Sequence, residues 1–103
     1  MKPAMIISTY PDKRSAAKTA RMLVGEGAAA CVNISKISSI YHWKNHIEES
    51  SEHLAIFKTV QGNKRLLKRR IMETHPYDVP EIAEISVSSV NAAYLDWLAD
   101  PSG

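Results

Sequence analysis

Apolar and polar positions recur along this chain with two different periods, and each change of period marks an element. Residues 4–9 form a short apolar run, which predicts a buried first strand. From Ser15 to Glu26 the apolar positions recur every three to four residues, as on one face of an amphipathic helix. Asp12 or Ser15 can cap the start of this helix, and Gly25 and Gly27 can close it.

A stretch without proline or glycine follows, from Ala29 to Thr59, and it is rich in β-branched and aromatic residues. We expect two strands there, joined by a reversal at Lys44-Asn45-His46, because asparagine tolerates positive φ. Each arm can reach about 12 residues, about twice the length of the mean strand. The predicted helices are too short to cover a hairpin of that length.

The last third of the chain predicts a helix, a strand and a second, shorter helix. Asn63 is placed to cap a helix that runs to Thr74, and His75-Pro76 ends it, with His75 in an extended conformation. A period of two from Glu81 to Ser88 predicts the fourth strand, and Asn91 to Leu98 predicts a short closing helix. The order βαββαβ plus a terminal helix predicts an α+β fold, a ferredoxin-like sandwich with a long central hairpin.

Composition narrows the class of protein. The 103 residues fit one domain, 1–103, and 45% apolar with 23% charged residues is the balance of a globular protein. A net charge of +2 is far below that of a dedicated nucleic-acid binder, and no apolar run is long enough to span a membrane. The single cysteine, Cys31, fits a reducing compartment, so we expect a cytoplasmic protein.

Two large rings, Tyr41 and Trp43, lie on the same face of one predicted strand near the hairpin tip. Leaving both in water on an isolated hairpin would be unusual. We therefore expect another subunit to cover them. The alternative is that the terminal helix of the same chain folds back over them.

The four histidines raise the question of a metal site, which strand pairing answers for two of them. With a two-residue turn at Lys44 and Asn45, Trp43 faces His46 across the hairpin and His42 points to the opposite side. A three-residue turn would pair His42 with His46, yet it would supply only two ligands where transition metals usually need three or four. We interpret these histidines as solvated polar residues.

Other chemistries lack the residues they need. Cys31 lies among small apolar residues, so we interpret it as a small hydrophobic residue. A ferredoxin-like copper chaperone needs two cysteines after the first strand, and an acylphosphatase-type site needs a glycine-rich loop there, but no glycine precedes Gly25. Residues 64–70 hold five cations, which we interpret as a solvated helix surface rather than an RNA groove, because the sheet lacks stacking aromatics.

Lys58 is the most informative polar residue, because it follows an apolar run in a strand that should be central. An ammonium group there is costly unless an anion meets it. It forms either an internal ion pair with Glu52 or Glu81, or part of a pocket for an anionic ligand. Both interpretations predict a polar cleft at a strand end, and the candidate ligand-binding residues are Thr9, Glu52, Lys58, His75 and Tyr77.

Seven motifs together resemble the CutA family of divalent-cation tolerance proteins over nearly the whole chain. They are Thr9-x-Pro11-Asp12, Ala29-Ala30-Cys31-Val32-Asn33-Ile34, Ser39-Ile40-Tyr41-x-Trp43, Ile47-Glu48-Glu49-x-x-Glu52, Lys58-Thr59, His75-Pro76-Tyr77-Asp78-x-Pro80-Glu81-Ile82 and Tyr94-Leu95-x-Trp97-Leu98. The family usually has glycine at the hairpin tip, where this chain has Asn45.

The resemblance implies a ferredoxin-like subunit in a homotrimer whose hairpin reaches onto its neighbours, with Tyr41, Trp43 and Ile47 at the interface. It implies a non-enzymatic protein linked to tolerance of divalent metals, copper among them, acting through an unidentified protein partner. His75 is the one candidate metal ligand, and the residues themselves identify no cofactor. The alternative function is a trimeric sensor of an anionic metabolite that resembles nitrogen-regulatory proteins. A hydrolase would need a nucleophile with a positioned base, which the sequence does not offer.

Overall fold

One four-stranded antiparallel sheet carries two helices on one face and a third helix at one end. The computed structural model describes residues 1–102, so Gly103 of the predicted domain lies outside the described residues. The strand order is β2-β3-β1-β4, which confirms the ferredoxin-like arrangement. The elements are β1 (Pro3–Tyr10), α1 (Lys13–Gly25), β2 (Cys31–Trp43), β3 (His46–Val60), α2 (Lys64–Thr74), β4 (Ala83–Ile85) and α3 (Ala92–Ala99).

The two faces of the sheet differ in what covers them. Alternate residues of β1 and β3, such as Ile6, Tyr10 and Phe57, are fully buried against Leu23 of α1 and Leu67 of α2. We call this the helix-covered face. The residues between them point to the other side, which we call the open face. The open face includes Met5, Ile7, Ile37, Glu52, Leu54, Ile56 and Lys58.

Local chain signals fix the ends of the helices. The Asp12 carboxylate accepts a hydrogen bond from the Ser15 backbone amide at 2.7 Å, which caps α1 as predicted. Gly27 adopts a φ of 80° just after α1, a conformation that glycine takes without strain. The predicted cap at Asn63 is wrong in detail: a 3-10 turn over Gln61–Asn63 precedes α2, and the Asn63 side chain makes no capping hydrogen bond.

The hairpin extends well past the rest of the sheet. β1 pairs with β3 only as far as Tyr10↔His53, whereas β2 and β3 continue as seven further pairs to Trp43↔His46. We call residues 37–52 the ribbon. Positive φ angles at Lys44 and Asn45, 47° and 68°, form the predicted two-residue turn. The molecule measures 47 × 26 × 21 Å because the ribbon projects from one end.

The C-terminal part corrects the predicted bounds of the fourth strand and excludes the alternative cover for the hairpin rings. β4 covers only Ala83–Ile85 instead of Glu81 to Ser88, because the loop before it crosses the end of β1 before any pairing begins. Helix α3 does not fold over the hairpin rings. Its Leu98 is 2% exposed and lies beside Thr59, at the end of β3 that is far from the tip. None of the helices in residues 1–102 is long and apolar enough to cross a membrane.

Candidate functional site

The site begins where β4 leaves the edge of β1. β4 pairs with β1 only at residues 5–7, so the next backbone groups of β1 need other partners. The His75 Nε2 atom lies 2.9 Å from the carbonyl oxygen of Thr9. The Ser8 hydroxyl donates a hydrogen bond of 2.6 Å to the carbonyl oxygen of Glu81. The segment after α2 is thereby fastened to the end of β1 through two side-chain contacts.

The hydrogen bonds of His75 determine its protonation state. Its Nδ1 atom accepts the backbone N–H of Tyr77 at 3.1 Å, so this nitrogen carries no proton, and Nε2–H donates to Thr9. Burial lowers the pKa of His75 below its usual value, in agreement with a neutral ring. The ring stacks on Tyr10 with centroids 4.3 Å apart. His75 therefore has both nitrogens in use and acts as a rigid connector between β1 and Tyr77.

Tyr77 carries the connection from His75 to the open face. Its hydroxyl donates to the Glu52 carboxylate at 2.7 Å. Burial, together with the acceptor carboxylate, raises the pKa of Tyr77 well above its usual value, so the phenol stays protonated. Thr9, Glu52, His75 and Tyr77, four of the five predicted ligand-binding residues, thus lie together at one end of the sheet.

Thr9, Glu52 and Tyr77 line a groove of about 900 Å³ at the base of the ribbon, and His75 lies behind them without lining it. The rings of Tyr41, Trp43 and Tyr77 line it, and its carboxylates come from Glu52, Asp78 and Glu81. No lysine, arginine or histidine is among the lining residues, so the groove does not fit an anionic ligand. The lining residues are Thr9, Ile37, Ser39, Ile40, Tyr41, Trp43, Glu52, Leu54, Tyr77, Asp78, Val79 and Glu81.

Lys58 does not belong to this group, contrary to the sequence-based expectation. It lies opposite Met5 on β1 and Cys31 on β2, six residues along β3 from Glu52. At about 3.3 Å per residue the separation is roughly 20 Å. The predicted ion pair with Glu52 or Glu81 is also absent from residues 1–102. The prediction failed because it grouped polar residues near chain reversals before the strand register was known.

The histidine, cysteine and acidic side chains of residues 1–102 are poorly placed to bind a metal ion together. Residues 1–102 contain no group of three or more histidine, cysteine or acidic side chains able to hold one ion. His42 and His46 lie on opposite sides of the ribbon, as the two-residue turn predicts, and His46 Nε2 is 2.9 Å from the Glu48 carboxylate. A metal ion at His75 would have to displace one of its two hydrogen bonds.

Sequence reasoning missed several residues that build the site. Tyr10 supports the His75 ring, and burial raises the pKa of Tyr10 to about 12. Ser8 anchors Glu81, and Val79 projects from the loop with 89% of its surface exposed. The spacing of Tyr10 next to Pro11 gave no signal of a ring stack, because that contact joins residues 65 positions apart.

Comparison with known proteins identifies the family. The profile of the family described as CutA1 divalent ion tolerance protein matches residues 4–101. The chain belongs to this family. The resemblance seen in the seven motifs is therefore confirmed, and it extends over nearly all of the chain.

Two relatives and one solved structure show how close this CutA chain is to its family. "Divalent-cation tolerance protein CutA" of Pyrococcus horikoshii is 43% identical over 96 residues, which cover 93% of this chain and 94% of that protein. The protein of the same name from Thermus thermophilus is 39% identical over 100 residues, 96% and 97% of the two chains. The crystal structure of CutA1 from Pyrococcus horikoshii matches with a TM-score of 0.89 at 43% identity, covering 92% and 93% of the two chains.

Proposed function

We propose that this protein serves tolerance to divalent cations as a non-catalytic homotrimer of the cytoplasm, in which the ribbon of each chain is covered by its neighbours. The observation that carries this proposal is the ribbon itself. A two-stranded hairpin alone is marginal in water, and this one carries exposed apolar side chains on both sides. Trp43 is 54% exposed on one side, and Ile40 and Ile47 are 67% and 61% exposed on the other.

The outer edge of β2 supports assembly as well. β2 is an edge strand of 13 residues without proline, and Lys36 is its only lysine, arginine or acidic residue. Long edges with so little charge invite pairing with another chain unless something covers them. Ile47 lies on the side of the ribbon opposite to Tyr41 and Trp43, so an interface that includes all three wraps around the ribbon. The family resemblance supports three copies.

A role without catalysis is supported by the way the site uses its reactive groups. Both nitrogens of His75 are hydrogen-bonded, and Tyr77 is a protonated phenol that donates to Glu52. Cys31 is beside Lys58, far from the groove. No nucleophile in the groove has a free neighbouring base, which is what covalent or acid–base catalysis requires.

The printed names of the relatives support a role in divalent-cation tolerance, and the ligand geometry supports an indirect one. Within residues 1–102 no cluster supplies the three or four ligands that a transition metal takes. Tolerance then depends on what the trimer binds. The cytoplasmic location is supported by the single cysteine, which cannot form an intrachain disulfide.

Sedimentation velocity of the wild-type protein at micromolar concentration tests the assembly. We expect a single species with the mass of three chains. A stable, well-folded single chain at this concentration would overturn the proposal, because the ribbon would then be stable without cover.

Calorimetric titration with Cu²⁺ and with Zn²⁺ tests the indirect metal role. We expect no binding tighter than micromolar in the wild type or in His75→Gln, which keeps a side-chain donor for Thr9. Tight binding by the wild type that is lost in His75→Gln would assign a direct metal site to this chain and contradict the proposal.

A further inference from the structure

The two ends of the open face carry opposite charges, and within residues 1–102 neither charge is neutralised. At one end Lys58 lies in a row with Met5, Cys31 and Ile85, with Ile56 next to it on the same face. Lys58 is half-buried and forms no ion pair with residues 1–102. An ammonium in such an apolar row loses hydration without gaining a counter-charge.

At the other end the acidic residues Glu52, Asp78 and Glu81 line the groove, and no cationic residue lines it. In residues 1–102 none of the three takes part in an ion pair. Glu26, Glu73 and Glu84, by contrast, do form ion pairs. Arg70 binds Glu26 and Glu73, and Lys64 and Lys68 both bind Glu84. The groove is thus an acidic, aromatic surface in a chain whose net charge is +2.

The cation and the carboxylates cannot meet in one chain, because Lys58 and Glu52 are six residues apart on the same strand, roughly 20 Å. We propose that Lys58 of one copy docks in the groove of the next copy, with its ammonium between the carboxylates. This inference rests on the proposed homo-oligomer. The aromatic side chains of the groove suit a lysine, because the aliphatic part of lysine packs on aromatic rings and its ammonium group is attracted to their faces.

The contact joins two different patches of the chain, the Lys58 end and the groove. A head-to-tail contact of this kind closes into a ring when the rotation between copies allows it. In the proposed homotrimer each copy would donate one Lys58 and receive one, so every Lys58 and every groove would be used.

A charge swap tests the contact. Lys58→Glu places a carboxylate against the acidic groove, and we expect the dissociation constant of the oligomer to rise at least 10-fold in sedimentation equilibrium. Glu81→Lys should weaken assembly in the same way. The double variant K58E/E81K restores opposite charges, and its dissociation constant should return to within about threefold of the wild type. Lys18→Glu, a charge reversal at an exposed lysine of α1, is the matched control and should assemble normally.

A second variant keeps the test decisive if Lys58→Glu does not fold, which far-ultraviolet circular dichroism would reveal. Lys58→Met keeps the length and packing of the side chain and removes its charge. We expect wild-type assembly to weaken as NaCl is raised, and Lys58→Met to lose much of this salt dependence.

If the wild type assembles but K58E and K58M behave like it, the inference is wrong while the proposed function stands. If K58E and E81K dissociate and the double variant does not recover, the pairing with the groove is wrong. A wild type that stays a single chain would instead overturn the proposed function.

Discussion

The helix-covered half of the sheet and the ribbon are made of similar residues, yet only one of them is complete within the chain. On the helix-covered face Ile6, Tyr10 and Phe57 have no exposed surface. On the ribbon, Tyr41 and Trp43 remain 40% and 54% exposed, although they belong to the same β2–β3 hairpin as Phe57. The difference arises because α1 and α2 pack only on the part of the sheet that includes β1. The apolar pattern of the sequence determines which side chains are stabilised by burial. The topology of the chain determines whether its own helices can bury them.

The largest expected effect lies in the helix-covered half. Phe57→Ala removes a fully buried ring from the centre of the core and should lower the free energy of unfolding by about 3–5 kcal/mol. Guanidinium unfolding measures this. The loss should appear at every protein concentration, because the cover of Phe57 comes from its own chain.

Leu54→Ala is the matched comparison on the open face of the same strand. Under the proposed assembly other copies cover part of Leu54, so its cost should depend on protein concentration. Equal costs that do not change with concentration would remove the distinction between the two faces.

A substitution in the ribbon should weaken assembly rather than the folding of the chain. Trp43→Ala removes an aromatic anchor, and such residues contribute about 2 kcal/mol or more at interfaces, so the dissociation constant should rise about 30-fold. Sedimentation equilibrium measures this change. Met72→Ala, an equally exposed apolar residue on α2, serves as the control and should leave assembly unchanged. Dissociation constants that match in the two variants would contradict the account.

Loss of the hydrogen bond between Tyr77 and Glu52, which joins the loop after α2 to the ribbon, should have a smaller effect on stability. Tyr77→Phe removes the hydroxyl that donates to Glu52, and we expect a loss of about 1–2 kcal/mol in unfolding free energy. Tyr94→Phe is the control, because its hydroxyl makes no side-chain hydrogen bond with residues 1–102 and its ring stacks on Trp97. A Tyr77→Phe variant as stable as Tyr94→Phe would show that the Tyr77 hydroxyl does not fasten the loop.

The pH dependence from His75 is the smallest expected effect. Burial lowers the pKa of His75 below 6.5, so the folded protein binds a proton less readily than the unfolded chain. The stability that the neutral ring provides is present above pH 6.5 and is lost as the pH falls below that value. Unfolding curves between pH 7 and 5 should show this loss in the wild type and in His42→Gln, and a weaker one in His75→Gln. A steeper loss in His75→Gln would contradict the assigned neutral ring.

Local signals made much of the fold predictable from the sequence. Asp12 capped α1, Asn45 took the left-handed turn conformation, and His75 before Pro76 was extended, as expected. Each of these depends on residues within a few positions of one another.

The features that could not be predicted depend on contacts between distant segments. Lys58 was grouped with Thr9, but the register of β1 and β3 places it opposite Met5, four residues along β1 from Thr9. β4 was predicted too long because the alternation from Glu81 to Ser88 is present in the sequence, but pairing with β1 occurs only at residues 5–7 of that strand. The stack of Tyr10 on His75 joins the end of β1 to the end of α2, and no local pattern encodes it.

Amide hydrogen exchange over the ribbon tests most directly whether its cover comes from other copies. On the outer edge of β2, the amides from Ser38 to Trp43 that point away from β3 have no acceptor among residues 1–102. The account predicts that they exchange slowly in concentrated protein and faster once dilution separates the copies. Fast exchange at all concentrations, with the core amides of β3 fully protected, would show that the ribbon stands free in water and would contradict the account.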